Sequence, residues 1–316
     1  MRKLLPVLFF VLLVASAFYN FYQFRSLSGI EEKNREQEKT YKTYPLLAKR
    51  IFLNNFSDII LNFLNLRQDL RAMTDPYGKD FSIYFEYLPT GVSIGINATE
   101  EFHQASLFKL PVVMAYFNQM ENLKKYDDPV VTLQQKDLDQ EFGDLWKRGA
   151  GYRIKISDAI KLALTESDNT AIKLIVPRIT EQNFNEVYSS LDIDLQTDKE
   201  GAIITTKGYS SILKALYFSS VLEEKNSQYI LDLLTKTKFV DKLPAGVPQN
   251  IPVAHKIGVF NKNGGDEAYM DCGIVYVPNR PYILCLYSKS DEQTARERIR
   301  TISKKVYDYV SGADSN

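Results

Sequence analysis

The chain has 316 residues and is 45% hydrophobic, enough to bury one large core or two ordinary ones. Its 39 Lys and Arg residues cancel its 39 Asp and Glu, so there is no basic field to hold nucleic acid and no acidic solvating tail. With only two histidines and two cysteines there is no Cys/His cluster at metal-ligand spacing.

Met1-Arg2-Lys3 followed by the apolar run Leu4 to Ala17 reads as an export segment with a positive start. Ala15-Ser16-Ala17 offers a cleavage site, while Phe18, Tyr19, Phe21 and Tyr22 lengthen the segment toward a membrane anchor. Residues 1–25 are therefore expected to be a signal peptide or an N-terminal anchor, the anchor being favoured, with everything after Arg25 outside the cytoplasm. Residues 26–44 are charged and poor in aliphatic side chains, which suits a solvated linker. The globular domain is expected over residues 45–312.

Within it, Leu47, Ile51, Ile59, Ile60, Phe63 and Leu66 fall on one helical stripe that stops before Asp75-Pro76-Tyr77-Gly78. Phe81, Ile83, Phe85 and Tyr87 alternate, Pro89-Thr90-Gly91 turns, and Val92, Ile94 and Ile96 alternate again, predicting a β-hairpin. From Pro111 to about Ile230 the spacing is mostly helical, with Ser157 as the expected cap of a helix through Ile160 and Leu164 and a second helix through Ile212 and Leu216. Leu243-Pro244-Ala245-Gly246-Val247-Pro248 breaks the pattern, and strand-like runs follow over residues 253–260, 272–277 and 282–287. A capping box at Ser290 and Gln293 is expected to open a last helix that presents Ala295, Ile299, Ile302 and Val306 on one face. Cys272 and Cys285 lie in neighbouring strands, as small buried hydrophobes or as a cross-strand disulfide. Strands from both ends of the chain around a helical middle predict an α/β (α+β) fold: one antiparallel sheet flanked by helices, with an inserted all-α lobe. A cleft between two such lobes is a natural place for chemistry.

Three stretches carry chemistry. If residues 105–111 open a helix, Ser106 and Lys109 share a face and bring a hydroxyl to an amine. Glu166-Ser167-Asp168-Asn169 follows a helical run, and Lys256-Ile257-Gly258 sits in the first strand after the Pro-rich break. In this order, 61 residues from Ser106 to Ser167 and 89 from Ser167 to Lys256, they resemble the Ser-x-x-Lys, Ser-Asp-Asn and Lys-Thr-Gly elements of class A β-lactamases and penicillin-binding proteins. The resemblance extends over roughly residues 45 to 312 and implies a serine hydrolase that forms an acyl-enzyme with a β-lactam or a D-alanyl cell-wall peptide, without metal or organic cofactor.

Desolvation and nearby cations would lower the Lys109 pKa, so that Lys109 serves as base to the Ser106 nucleophile. Ser167 would return the proton to the leaving nitrogen, and Asn169 would offer its amide to the substrate. Lys256 would meet a substrate carboxylate and help keep Lys109 deprotonated. By resemblance, the backbone N–H groups of Ser106 and Val259, the residue after Gly258, form the oxyanion hole.

Two departures stand out. Ile257 replaces the family's threonine, and with it a hydroxyl that donates to the substrate carboxylate. The loop glutamate that clears the acyl-enzyme in class A enzymes has no counterpart: Glu166 adjoins Ser167, Glu181-Gln182-Asn183-Phe184-Asn185 comes too early and reads as helix, and Asp194, Asp198 and Glu200 lack the following Leu-Asn. Acylation with slow deacylation is expected, with a peptidase, a transpeptidase or a non-catalytic cell-envelope binding domain as alternatives. A Ser-His-Asp hydrolase is disfavoured, because His255 and Lys256 are neighbours on a strand and point to opposite faces, and no Gly-x-Ser-x-Gly elbow surrounds Ser106 near His103.

Overall fold

The computed structural model describes residues 62–199, 201–262 and 266–312, together with Tyr19 and Arg25. The fold lies in the unit Leu46–Asn316; in the unit Met1–Pro45 only Tyr19 and Arg25 are described. The export segment, the charged linker and the Leu47 to Ile60 part of the first stripe lie outside the described residues. Among the described residues no helix is long and apolar enough to cross a membrane.

In chain order the elements are helix α1 (Leu64–Thr74), strands β1 (Phe81–Tyr87), β2 (Val92–Ile96) and β3 (Glu101–His103), then α2 (Lys109–Asn122), β4 (Val130–Thr132) and β5 (Arg153–Lys155). Helices α3 (Ile156–Thr165), α4 (Asn169–Ile175) and α5 (Glu181–Ser189) follow, then β6 (Gln196–Asp198) and β7 (Gly201–Thr205). The chain continues through α6 (Thr206–Phe218), α7 (Glu224–Leu234), β8 (Val253–Lys262), β9 (Asp266–Val275), β10 (Tyr282–Lys289) and α8 (Glu292–Ser311).

The main sheet is antiparallel with strand order β2-β1-β10-β9-β8, so segments from both ends of the sequence meet at the β1–β10 pairing. Helices cover both of its faces, which is why β1 is buried along its whole length although its sequence alternates. Leu66 and Leu70 of α1 and Ile299, Ile302 and Val306 of α8 pack with Phe81, Ile83 and Phe85 on one face. Ile212 and Leu216 of α6 and the helices of the insert pack with Tyr84, Met270 and Ile274 on the other. Polar groups on that second face are paired: the Ser82 hydroxyl lies 2.8 Å from the Thr206 hydroxyl, and Lys214 donates to Glu86 at 3.0 Å.

The expected hairpin forms with Tyr87 opposite Val92. The three C-terminal strands also form: the first and last run two residues further than expected, and the middle one starts six residues earlier and ends at Val275, two residues short. The helical middle carries more than helices: β3, β7 and β6 make a small sheet, and β4 and β5 pair separately. These strands are too short to leave a periodic signature, yet the Gln104 N–H donates to the Ala202 carbonyl at 2.8 Å and so anchors the approach to Ser106.

Both expected helix caps are corrected. Lys155, not Ser157, precedes α3, and Asp128 from the loop before β4 accepts from the Ser157 N–H at 2.9 Å and from its hydroxyl at 2.8 Å. A carboxylate at this end satisfies a free N–H and complements the helix dipole, which a serine at the second helical position cannot do for itself. For α8 the cap is Asp291, whose side chain accepts from the Thr294 N–H at 3.0 Å, and Ser290 lies outside the motif. Phe63 likewise stands just before α1 rather than in it, buried against Phe85 and Tyr87. Cys272 and Cys285 are directly opposed across β9 and β10 as buried free thiols, with no disulfide.

The Pro-rich break delivers β8 to the sheet by pressing Gly246 against α8, where an added Cβ would lie 2.5 Å from the Lys304 backbone nitrogen. Neither backbone can yield locally. Gly246→Ala is therefore expected to lower unfolding stability by about 1–3 kcal/mol, read as a lower urea midpoint at unchanged slope.

Candidate active site

Ser106 lies in a single 3₁₀ turn, Ala105–Phe108, that runs directly into α2 at Lys109. The turn is entered through Ala105 in the left-handed region (φ 43°), a conformation costly for a residue with a Cβ. It is backed by β8 at Gly258, where an added Cβ would lie 3.1 Å from both the Gln104 carbonyl and Leu107. Strand β8 is the edge of the main sheet, so one side of its backbone has no neighbouring strand. Val259 follows Gly258 on that strand and is half-buried.

The second element sits between α3 and α4. Ser167 is itself left-handed (φ 56°), which turns its hydroxyl and carbonyl toward α2. Asp168 is consumed by structure: it caps α4 by accepting from the Ala171 N–H at 2.8 Å, and it accepts from the Leu145 N–H at 2.9 Å. That carboxylate fits only because Gly143 (φ 86°) faces it, since a Cβ there would come within 2.1 Å of Asp168 Oδ2.

These elements converge on two amines. Lys109 Nζ has Ser106 Oγ at 2.6 Å, Asn169 Oδ1 at 2.7 Å, the Ser167 carbonyl oxygen at 2.9 Å and Ser167 Oγ at 3.3 Å. Lys256 Nζ donates to Ser167 Oγ at 2.8 Å and to the Ile257 carbonyl at 3.2 Å. Both lysines are only 1% exposed. Burial brings the Lys109 pKa down to about 8, against the opposing pull of Asp168, Asp139 and Glu141. It drives Lys256 well below its ordinary value, helped by the Lys109 charge and opposed by Asp271. Of the two causes expected to lower the Lys109 pKa, desolvation is the larger. Two amines sharing one hydroxyl favour a single positive charge between them over two.

All seven residues singled out from the sequence are placed. Ser106, Lys109, Ser167, Asn169 and Lys256 form one hydrogen-bonded cluster, with Gly258 and Val259 on the strand behind the nucleophile's turn. Asn169 differs from expectation in what it bonds. Its oxygen accepts from Lys109 and its NH₂ donates to Asp139 Oδ1 at 3.1 Å, so its amide is largely spent inside the protein. Asp139 belongs to no motif and was not singled out; only its position in a loop without helical periodicity set it apart. Ile257 is buried, 3% exposed, on the strand face opposite Lys256.

Neither histidine engages Ser106. His255 Nδ1 pairs with Asp271 Oδ1 at 2.7 Å on the face away from Lys256, as the two-residue strand period requires. The His103 ring stacks on Phe260 with centroids 4.6 Å apart, and its Nδ1 stands 3.6 Å from Asp198. His103 and Phe260 border a cavity of about 350 Å³ beyond Val259. The Glu181 segment is helical, as expected, and Glu200 lies outside the described residues. Among the described residues no carboxylate bonds Ser106 or Lys109, and no group of acids, histidines and cysteines is arranged to hold a metal.

Comparison with known proteins agrees with this geometry. A family model described as "Beta-lactamase enzyme family" matches residues 65–310. The extended-spectrum beta-lactamase PER-1 of Pseudomonas aeruginosa is 22% identical over 240 residues, covering 68% of this chain and 77% of its own length. Beta-lactamase 1 of Bacillus cereus is 23% identical over 241 residues, 71% of this chain and 76% of its own. Among solved structures, PBP-A superposes with TM-score 0.71 at 21% identity over 79% of this chain and 97% of that one. An acyl-enzyme complex of a PBP-A variant with penicillin-G gives TM-score 0.70 at 21% identity over 78% and 97%. The TLA-3 extended-spectrum beta-lactamase gives TM-score 0.73 at 17% identity over 79% and 100%. Fold and relatives together define the class as a β-lactamase-like serine hydrolase. The chain belongs to the beta-lactamase enzyme family.

The buried amine also leaves a thermodynamic signature. Because Lys109 has a lowered pKa when folded, the unfolded chain binds more protons between about pH 8 and the ordinary lysine value, and stability must rise with pH across that window. Replacing Lys109 by Met removes this contribution. The wild-type protein is therefore expected to gain stability relative to Lys109→Met between about pH 8 and pH 10.5, in denaturant titrations run in parallel.

Proposed function

We propose that the chain forms an acyl-enzyme on Ser106 with a β-lactam or a D-alanyl cell-wall peptide and releases it slowly. The observation that carries this reading is the set of partners around Lys109. Asn169 Oδ1 and the Ser167 carbonyl can only accept, so they take the two N–H groups of a neutral amine. The lone pair is then left for a neighbour that can donate, and the Ser106 hydroxyl is 2.6 Å away. A lysine so placed removes the nucleophile's proton as the hydroxyl attacks a carbonyl.

In this scheme the two amines carry a single positive charge between them, and Lys256 donates to Ser167, whose hydroxyl passes a proton from Lys109 to the leaving nitrogen. The N–H groups of Ser106 and Val259 stabilise the oxyanion, Val259 from the open edge of β8. Slow release follows because, among the described residues of the hairpin where the family's glutamate belongs, Asp198 faces His103 and Asp194 borders a separate cavity. The loss of the threonine hydroxyl at Ile257 and the internal bonding of Asn169 weaken recognition of penicillin-like substrates, which favours a peptide substrate or, as a second reading, a binding domain without turnover. The proposed setting is outside the cytoplasm, tethered by residues 1–25.

Mass spectrometry of the intact protein after exposure to β-lactams and to acyl-D-alanyl peptides tests this. A covalent adduct that persists for minutes or longer and is absent in Ser106→Ala is the expected result. No adduct from any acyl donor would leave the binding-domain reading standing, and rapid loss of the adduct would contradict slow release.

A further inference from the structure

The direction of the hydrogen bonds at Lys109 depends on which end of the Asn169 amide faces it. An amide is nearly symmetric in shape: turned one way Asn169 offers an acceptor to Lys109, and turned the other way it offers donors. A protonated Lys109 can only donate and holds the oxygen end by itself, but a neutral amine could accept from the NH₂ end as well; what then demands the NH₂ end elsewhere is Asp139. Its carboxylate accepts from Asn169 Nδ2 at 3.1 Å, from the Glu141 N–H at 3.1 Å and from Lys173 Nζ at 2.7 Å. Although partial burial works against it, the bonds from Lys173, Asn169 and the Glu141 backbone keep the Asp139 carboxyl below its usual range, so it is ionised at neutral pH and cannot donate.

The loop that carries Asp139 is fastened to the helix that carries Asn169. The Asp139 N–H donates to the Thr170 hydroxyl at 2.9 Å, and Lys173 lies one turn further along α4. Lys109 donates to Asn169 and Asn169 to Asp139, so with the amine neutral its lone pair is left to the Ser106 hydroxyl 2.6 Å away. Turning the amide over would set its oxygen against the Asp139 carboxylate, two acceptors facing each other.

We propose that Asp139 is a positioning residue for the base, forcing the Asn169 amide to turn its oxygen to Lys109 so that the lysine lone pair faces Ser106, with Lys173 setting how strongly the Asp139 charge acts there. The inference rests on the reading of Lys109 as the base. It makes the carboxylate both a geometric stop and an electrostatic one, because the negative charge of Asp139 holds the Lys109 proton more tightly.

The two effects predict opposite responses that a merely structural role would not produce. Protein labelled with ¹³C at the lysine ε-carbon, with the Lys109 signal assigned from Lys109→Arg, reports the titration directly and needs no substrate. In Asp139→Asn a negative charge is lost and the Asn169 amide is free to turn, so Lys109 should titrate at lower pH. In Lys173→Met the charge of Asp139 is left uncompensated, so Lys109 should titrate at higher pH. The acid limb of the acylation rate measured with a fluorescent penicillin should move in the same direction as the titration in each variant. Its plateau should fall about 10- to 100-fold in Asp139→Asn, as expected for a misaligned base.

An unmoved Lys109 titration in Asp139→Asn, or a shift of the same sign in both variants, would overturn the proposal. Should Asp139→Asn fail to fold, Lys173→Met keeps Asp139 in place and its upward shift decides. If the wild-type protein takes no acyl probe, the acyl-enzyme reading falls while the lysine titration still judges this one.

Discussion

Two lysine amines, each 1% exposed, share one serine hydroxyl, and the rest of the architecture follows from making that tolerable. An unpaired ammonium is costly to take out of water, so both amines must be ringed by oxygens or lose their protons. Both happen here. Oxygens from Ser106, Ser167, Asn169 and the Ile257 backbone close around them, and desolvation lowers the pKa of each. Burial that would be a defect in an ordinary core brings the Lys109 pKa down to about 8 beside the Ser106 hydroxyl, which is what the proposed role as base requires.

The scaffold meets this demand with strain and close approach rather than with additional charges. Ala105 and Ser167 are both held in left-handed conformations next to the reacting hydroxyls, and they persist because the surroundings over-determine them. Gly258 lets the edge strand lie against the nucleophile's turn, and Gly143 lets Asp168 cap α4 and tie down the Leu145 segment at once. The two-sided main sheet gives β8 a rigid seat, while its free edge leaves backbone facing the cleft. Regular elements therefore carry the lysines, and strained turns carry the serines.

What the site lacks is as specific as what it contains. Ile257 puts an apolar, buried side chain where the resemblance implies a hydroxyl, and Asn169 spends its amide on Lys109 and Asp139. The β6–β7 hairpin contributes Ile203 to the cavity beyond Val259 and sets Asp198 against His103. Among the described residues the amines lie beside Ser106, and no carboxylate bonds Ser106 or Lys109.

Much of this was legible in the residues alone. Alternation marked the first hairpin, apolar runs marked the C-terminal strands, and the two-residue period put His255 and Lys256 on opposite faces. The order of Ser106, Lys109, Ser167, Asn169 and Lys256 named the cluster, because short motifs are set by local chemistry. Contacts between distant segments were not legible. Asp128 caps a helix it does not precede, β3 pairs with β7 across the helical insert, and Asp139 governs Asn169 from 30 residues away. A cap or short strand partner drawn from elsewhere leaves no periodic trace, and an amide's orientation depends on whatever stands behind it. The sequence by itself determined which residues could react; only the packing of distant loops decided which way their hydrogen bonds run.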